Sequence, residues 1–275
     1  MTAENIHEKL IAGLRNFFAQ SGKTSAVVGL SGGIDSSVVA ALAVDALGKE
    51  NVRGLMMPSQ YSTLHSVADA LLLTENLGIT HHLIPVENIY HAFIKELTPV
   101  FGSKKKTDIT EENLQARIRA TLLMAISNKY DCLVLNTSNK SELAMGYGTL
   151  YGDLIGALMV IGDLYKTQVY ETAWYINRNK PIIPLNIIQK EPSAELHPGQ
   201  KDSDSLPPYA QLDPILHALI EEQLSPDETI QKGFDADTVA RIANQKAQVA
   251  FKGHQLPQMI KISDRPLASR EKWTF

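Results

Sequence analysis

The sequence predicts a fold of the α/β class, in which a doubly wound, mostly parallel sheet is flanked by helices. Short apolar runs alternate with helical segments from the N-terminus to about residue 136. The first of these runs leads directly into a glycine-rich turn and a helix start, as in a βα unit. The composition, with 44% hydrophobic and 20% charged residues, is ordinary for a globular chain and excludes a disordered or coiled-coil one.

The elements of the first half follow from the spacing of their apolar residues. Helices are predicted over residues 4–20, 36–47, 63–77, 88–98 and 111–128. Strands are predicted at residues 26–30, 52–57, 82–86 and 132–136. Because strands and helices alternate, right-handed crossovers would place helices on both faces of a parallel sheet.

The pattern changes after about residue 146, where glycine and aromatic residues precede a further helix at residues 166–178. A polar stretch with Pro198-Gly199 is predicted to be a mobile loop, and it would either close over a site or lie as an ordinary surface loop. Two more helices follow, at residues 209–223 and 235–250. We expect a single domain over residues 1–275, with an α/β core at about 20–190, the mobile loop at about 192–208 and a helical C-terminal extension at about 209–275.

Charge and cysteine content exclude several classes of function. The formal charge is −4 and neither half of the chain carries a basic excess, so we expect no nucleic-acid partner. The single cysteine, Cys132, lies in an apolar run and is expected to be an inert strand residue in a reducing compartment. No apolar stretch approaches the roughly 20 residues of a membrane helix, and the N-terminus lacks the pattern of a signal peptide. We therefore expect a cytoplasmic protein without membrane contact.

The segment Ser-Gly-Gly-Ile-Asp-Ser at residues 31–36 is the most informative of the chain. It lies between a strand and a helix start, where unpaired backbone N–H groups and the helix dipole favour an anion. Two adjacent glycines let the backbone approach a ligand closely. Asp35 would repel a phosphate unless it held a cation such as Mg²⁺ against the phosphate oxygens. The segment therefore predicts a phosphate site with a metal, in preference to an ordinary tight turn with a helix cap.

Residues 29–36 resemble the pyrophosphatase loop of ATP enzymes that release pyrophosphate and transfer AMP. NAD, GMP, asparagine and argininosuccinate synthetases belong to this superfamily. Additional segments are similar to NAD synthetases in particular, and they are residues 112–119, 136–142, 146–153, 162–167, 192–196 and 199–202. The resemblance covers about residues 5–265, and it implies an adenine nucleotide alpha-hydrolase-like version of the α/β fold.

The resemblance also implies a reaction. ATP would activate the nicotinate carboxylate of deamido-NAD as an adenylate with release of pyrophosphate, and ammonia would then displace AMP to form NAD. The implied metal ligands for Mg²⁺ are Asp35 and Glu142, which follow strands of one sheet and would lie near its carboxyl edge. The implied ATP contacts are Gly29, Leu30, Ser31, Gly32, Gly33, Ile34, Asp35, Ser36, Thr137, Lys166 and Ser193.

Catalytic and substrate-binding roles follow from the same resemblance. Asp35 and Lys166 would act on the phosphates, Lys166 as a point charge, while Asp153 is a candidate for orienting ammonia or accepting its proton. The implied contacts to deamido-NAD are Arg117, Phe251 and Lys252. Arg117 and Arg119 lie two apart on one helix and face different directions, so that one of the two is left for the surface or an ion pair.

The nitrogen donor is predicted from the position of the motif. Glutamine-using members of the family resemble a fusion with an amidase domain that bears a cysteine nucleophile. Here the motif begins at residue 29, which predicts free ammonia as donor, and a separate glutaminase subunit is the alternative. The resemblance further implies a homodimer. An alternative of another class is a non-catalytic adenine-nucleotide sensor, which would not need the pair of Asp35 and Glu142.

Overall fold

The computed structural model describes residues 1–102 and 108–267 of the chain. Residues 268–275, the end of the predicted C-terminal extension, lie outside the described residues. Within the described ranges, the centre of the molecule is a six-stranded sheet in which every pairing is parallel. The strand order is β3-β2-β1-β4-β5-β6. The strands are β1 (Ala26–Gly29), β2 (Val52–Met56), β3 (Thr80–Leu83), β4 (Leu133–Asn136), β5 (Leu158–Met159) and β6 (Gln258–Met259).

Helices cover both faces of the sheet and form the C-terminal part of the described chain. Those before the glycine-rich second half are α1 (Ala3–Ser21), α2 (Ile34–Leu47), α3 (Leu64–Leu77), α4 (Glu87–Phe101) and α5 (Ile109–Tyr130). The later ones are α6 (Lys140–Met145), α7 (Lys166–Ile176), α8 (Leu185–Gln189), α9 (Tyr209–Ile220), α10 (Pro226–Gln231) and α11 (Ala236–Val249). The predicted α/β class with flanking helices is thereby confirmed.

Alternate residues of β1 face two separate cores. Val28 packs with apolar side chains of α1, α2 and α7, whereas Val27 packs with those of α4 and α5 on the other face. Both valines are fully buried, as expected for the central strand of a sheet covered on both sides. A third core joins α6, α9 and α11 beyond the sheet. The sheet thus holds the ends of β1 and β4 rigidly beside each other, and both ends carry residues of the predicted site.

Two predicted elements differ from those in the structure. The third strand ends at Leu83, whereas the prediction placed it at residues 82–86. Hydrogen bonding to the segment of β2 nevertheless continues past Leu83, because the N–H groups of Ile84 and Val86 donate to the carbonyl oxygens of Met56 and Pro58. The predicted helical extension is present as α9 to α11, after which the chain returns to the sheet and adds β6 at its edge.

Among the described residues, no helix is both long and apolar enough to cross a membrane.

Candidate active site

The loop between β1 and α2 is held in a tight shape by its own side chains. Gly32 has a φ of +76°, and a Cβ atom there would lie 2.1 Å from the carbonyl oxygen of Ser66, so that only glycine fits. The hydroxyls of Ser36 and Ser37 donate to the carbonyl oxygen of Gly33, at 3.1 and 2.7 Å. These two hydrogen bonds help to hold the loop in its shape.

The N-terminus of α2 offers backbone N–H groups to a ligand. Gly33 is the N-cap of this helix, and having no side chain, it leaves the first turn without a side-chain cap. Uncapped N–H groups at a positive helix end favour an anion. The loop and the first turn of α2 therefore have a geometry that a phosphate group would fit.

Three charged side chains of the prediction meet beside this loop. The ammonium group of Lys166, at the first residue of α7, lies 2.6 Å from Asp35 Oδ2 and 3.0 Å from Glu142 Oε1. Lys166 is 2% exposed, while the two carboxylates are partly accessible. Asp35 is carried by α2, Glu142 by α6 and Lys166 by α7, so three helix N-termini converge on one point. Helix N-termini with their carboxylates turned inward are suited to hold a cation between carboxylate and phosphate oxygens.

Asn139 joins two of these helix starts, and sequence reasoning missed it. Its side-chain Nδ2 donates to Asp35 Oδ1 at 2.9 Å, and its Oδ1 accepts from the backbone N–H of Glu142 at 3.0 Å. Asn139 is the N-cap of α6, with Glu142 completing a capping box. The spacing Asn-x-x-Glu is a known signal of a helix start and could have revealed both α6 and this contact.

The ionisation of this group of charges is strongly perturbed. Burial raises the pKa of Glu142 to about 7, and Asp35 adds to the rise while Lys166 opposes it. Burial alone would lower the pKa of Lys166, but Asp35 and Glu142 together raise it above its usual value. Lys166 therefore stays charged and serves as the cation of the two carboxylates in this structure.

Asp35 and Glu142 fit a magnesium ion by the chemistry of their donor set. Mg²⁺ in nucleotide sites commonly takes one or two carboxylates from the protein and completes its shell with phosphate oxygens and water. Two carboxylates with accessible oxygens, already sharing one cation, match that requirement. Among the described residues, no group of three or more His, Cys, Asp or Glu side chains is arranged to hold a metal.

A cavity of about 730 Å³ opens beside the loop and contains most of the predicted site. This volume is in the range of sites for small-molecule ligands. The predicted residues on its wall are Gly29, Leu30, Ser31, Gly33, Ile34, Asp35, Ser36, Thr137, Glu142, Asp153, Lys166, Ser193 and Lys252. Gly32 lies behind the loop, against Ser66, and does not line the cavity.

Asp153 and Lys252 lie together on the cavity wall. The carboxylate of Asp153 faces the cavity and accepts a hydrogen bond from the backbone N–H of Thr149 at 2.7 Å. Desolvation raises the pKa of Asp153, while the hydrogen bond from Thr149 and the charge of Lys252 oppose this rise. Lys252 donates to the carbonyl oxygens of Gly146 and Gly148, each at 2.7 Å, and burial lowers its pKa while Asp153 opposes this. Lys252 thus fixes the glycine-rich segment that carries Asp153.

Two predicted substrate contacts do not line the cavity in the single chain. Arg117 is exposed on α5 and donates to the carbonyl oxygen of Leu150 at 3.2 Å, and Phe251 is 58% exposed. Arg119 lines the cavity instead, whereas the resemblance had implied Arg117. Burial lowers the pKa of Arg119, while Asp153 and Glu195 favour its charged form.

The segment predicted as a mobile loop lies across the cavity and is held there by hydrogen bonds to other elements, three of which involve Glu195. The carboxylate of Glu195 accepts from the backbone N–H of Thr63 at 3.1 Å, from the Thr63 hydroxyl at 3.0 Å and from the Ser66 hydroxyl at 2.7 Å. Thr63 is the N-cap of α3. On the inner side, Gln115 donates to the carbonyl oxygen of Leu196 at 3.0 Å. Ser193 donates its hydroxyl to the carbonyl oxygen of Gln200 within the same segment.

Comparison with known proteins identifies the family. The family model described as NAD synthase matches residues 6–256, and the chain therefore belongs to the NAD synthase family. A glutamine-dependent NAD(+) synthetase of Thermotoga maritima is 50% identical over 264 residues, which cover 95% of this chain and 46% of that protein. The chain spans about half the length of the curated relatives it matches.

Two solved structures are similar over nearly their whole length. One is an NH3-dependent NAD synthetase from Campylobacter jejuni, which is 38% identical, has a TM-score of 0.75 and is aligned over 92% of this chain and 97% of its own. The other is an NMN synthetase from Francisella tularensis, which is 29% identical, has a TM-score of 0.77 and is aligned over 97% of this chain and 99% of its own.

Proposed function

We propose that this protein amidates deamido-NAD to NAD at the expense of ATP, through an adenylate of the nicotinate carboxylate, with release of pyrophosphate and AMP. The observation that carries the proposal is the convergence of Asp35, Glu142 and Lys166 beside the uncapped N-terminus of α2, in a chain of the NAD synthase family. A carboxylate needs a good leaving group before ammonia can attack it, and the site has the charges that adenylation requires.

The residues act on the phosphates as follows. The backbone N–H groups at the start of α2 bind phosphate oxygens, and Lys166 adds a fixed positive charge at the edge of the loop. Asp35 and Glu142 would hold Mg²⁺, which when bound neutralises charge on the phosphate oxygens. Thr137 supplies a hydroxyl on the cavity wall, and Ser193 would supply another after releasing its hydrogen bond to the carbonyl oxygen of Gln200. Negative charge that gathers on the α-phosphate during transfer of AMP is thereby met by groups already in place.

The second half of the reaction needs neutral ammonia beside the adenylate. Asp153 faces the cavity near Arg119 and Lys252, and its raised pKa favours acceptance of a proton from an ammonium ion. The anchored segment around Glu195 lies across the cavity and would limit the access of water to the adenylate. Lys252 and Arg119 lie where they can contact deamido-NAD within the cavity.

Free ammonia is the proposed donor. The similarity to an NH3-dependent synthetase over 92% of this chain supports it, and delivery by a separate glutaminase subunit is the alternative.

We also propose a homodimer. The support for a dimer is a set of exposed apolar side chains on α4 and α5, namely Phe93, Val100 and Met124. Met124 lies two helical turns after Arg117 and therefore on the same face of α5. A second copy on this surface would bring Arg117 within reach of a shared dinucleotide.

The test is release of pyrophosphate from ATP and Mg²⁺, with and without deamido-NAD, in the presence of either ammonium or glutamine. We expect release that requires deamido-NAD and ammonium, with an equal amount of NAD formed. Turnover with glutamine alone would refute free ammonia as the donor. Binding of ATP without turnover under any condition would favour the nucleotide-sensing alternative.

A second candidate reaction is the amidation of nicotinate mononucleotide to NMN. The similarity to an NMN synthetase over 99% of that chain favours it. The same assay with nicotinate mononucleotide in place of deamido-NAD separates the two, because the proposed reaction predicts the higher kcat/KM for the dinucleotide.

A further inference from the structure

Helix α9 approaches Lys166 with two residues that have no role in the reaction proposed above. Tyr209 and Asp213 are four residues apart and therefore lie on one face of α9. The ring of Tyr209 lies against the ammonium group of Lys166, with 5.4 Å between Nζ and the ring centroid. Asp213 lies one turn further on, is only 4% exposed and reaches the N-terminus of α7, which begins at Lys166.

Asp213 is linked to Lys166 through a short series of hydrogen bonds. Its Oδ1 accepts from the hydroxyl of Ser141 at 2.6 Å, and its Oδ2 accepts from the backbone N–H of Thr167 at 2.8 Å. The hydroxyl oxygen of Ser141 in turn accepts from the backbone N–H of Lys166 at 2.9 Å. Two N–H groups that a helix start leaves unpaired are satisfied in this way, and a negative charge lies at the positive end of α7.

This arrangement joins the two helices that carry the charged groups of the site. Ser141 belongs to α6, which also carries Glu142, whereas Lys166 and Thr167 begin α7. Lys166 Nζ and Glu142 Oε1, 3.0 Å apart, therefore extend from two helix starts that Asp213 of α9 joins by hydrogen bonds. A cap with a purely local role would serve one helix, whereas the buried carboxylate of Asp213 connects three.

We propose that Asp213 is a positioning residue that, through Ser141 and the first turn of α7, places Lys166 against Glu142 and Asp35. It thereby sets the affinity of the site for the phosphates of ATP without contacting them. The inference rests on the proposed function only in taking these phosphates as the ligand of Lys166.

A double-mutant cycle on ATP binding tests this role, with titration calorimetry in the presence of Mg²⁺ and the substitutions Asp213→Asn and Lys166→Met. Asparagine keeps the shape of the side chain, but its amide nitrogen cannot accept the Ser141 hydroxyl proton. We expect Asp213→Asn to weaken ATP binding about tenfold in the wild-type background, because it disturbs hydrogen bonds to a charged group. In the Lys166→Met background, Asp213→Asn should weaken ATP binding by less than about twofold, because the ammonium group that Asp213 positions is absent.

Two more variants make the result specific. Ser141→Ala keeps the charge of Asp213 and removes only the hydroxyl between Asp213 and the Lys166 N–H. It should therefore also weaken ATP binding, but by less than Asp213→Asn does. Asp235→Asn changes the same kind of group at the N-cap of α11, where Asp235 Oδ2 accepts from the Thr238 N–H at 2.9 Å, and should leave ATP affinity within about twofold. If Asp213→Asn acted only by a general loss of stability, it would lower the melting temperature, as Asp235→Asn can also do. Its effect on ATP affinity would then be the same whether Lys166 is present or replaced by Met.

The proposal is overturned if Asp213→Asn costs the same in both backgrounds, or if Asp213→Asn and Ser141→Ala both bind ATP with wild-type affinity. Binding, and not turnover, is the measured quantity. A wild-type protein that binds ATP but forms no NAD would therefore refute the proposed reaction and leave the role of Asp213 to be decided by the cycle, whereas a wild-type protein that does not bind ATP overturns both.

Discussion

At the scale of single residues, Glu142 carries an electrostatic conflict. Burial raises its pKa from the usual value near 4.5 to about 7, and Asp35 adds to the rise against the opposing effect of Lys166. The folded protein therefore keeps a proton on Glu142 at pH values where the unfolded chain has lost it. Stability from this group is greatest at low pH and falls as the pH rises from about 4.5 to about 7. An ionised Glu142 at neutral pH costs stability, as expected for a residue kept for function.

Replacing Glu142 by Gln removes this titration. Between about pH 5 and pH 8 we expect the wild-type protein to lose on the order of 1–3 kcal/mol of unfolding free energy relative to Glu142→Gln. Urea unfolding at several pH values measures the difference, and Glu171→Gln at an exposed position of α7 serves as control. Parallel pH profiles of the wild type and Glu142→Gln would show that the carboxyl titrates normally.

The position of Lys166 between the two carboxylates also leads to a prediction about Mg²⁺ binding. Without its ammonium group, Asp35 and Glu142 would lie together without their shared cation. We expect Lys166→Met to gain more thermal stability from Mg²⁺ than the wild type does in the absence of nucleotide, because the ion would replace the lost charge. Scanning calorimetry across a Mg²⁺ series measures this gain. In the double variant Asp35→Asn/Lys166→Met the gain should disappear, and a gain that persisted there would place the metal elsewhere.

Some site residues could be located from the sequence and others could not. Asp35 and Glu142 follow β1 and β4, and because carboxyl ends of parallel strands share one edge of the sheet, their proximity was predictable. The choice between Arg117 and Arg119 was not, since it depends on the rotation of α5 against the sheet. That rotation is set by packing between distant parts of the chain, and no local pattern records it.

At the scale of secondary structure, the length of an element decided whether it could be predicted. Among the described residues, the sequence predicted every helix of eleven or more residues with boundary errors of a few residues; several of these helices, such as α1 and α11, show an apolar period, whereas α2 is a continuous run of apolar and small residues. β5 and β6 have two residues each and pair Leu158 with Gln258. Pairing between residues so far apart in sequence follows from the closing of the fold and leaves no local signal.

The contacts of Glu195 lead to a prediction about the mobility of residues 192–205. Glu195 is its anchor on the start of α3, and Ser66 beside it also contacts the glycine-rich loop at Gly32. We expect Glu195→Gln to loosen the segment, because hydrogen bonds to a charged acceptor are worth about 1.5–3 kcal/mol. Limited proteolysis should then cut residues 192–205 at least about fivefold faster, and KM for ATP should rise.

Glu191→Gln is the matched control for this experiment. Glu191 lies in the same segment, but it forms an exposed ion pair with Lys201 at 2.7 Å. Exposed pairs of this kind contribute only about 0–1 kcal/mol, so its removal should leave the cleavage rate nearly unchanged. Equal acceleration by both substitutions would mean that Glu195 is not the anchor.

At the scale of the whole molecule, the buried ammonium group of Lys140 connects the site to the C-terminal part of the described chain. It is 0% exposed and contacts Asp163 Oδ1 at 2.7 Å, the carboxylate of Glu221, Ser263 Oγ at 2.9 Å and the carbonyl oxygen of Arg265 at 2.9 Å. The other oxygen of Asp163 accepts from the N–H groups of Ile262 and Ser263. Because Lys140 begins α6, the helix of Glu142, the chain after β6 is fastened directly beside the site.

Replacing Lys140 by Met should therefore destabilise the fold and the site together. Removal of one partner from a buried ion pair leaves uncompensated charge, here on Asp163 and Glu221, and typically costs about 3–5 kcal/mol. Lys232→Met, which removes the exposed partner of Glu222, should cost less than about 1 kcal/mol. Urea unfolding measures both. If the two substitutions cost the same, the contacts of Lys140 do not hold the C-terminal segment, and the placement of α6 must depend on the apolar core that it shares with α9 and α11.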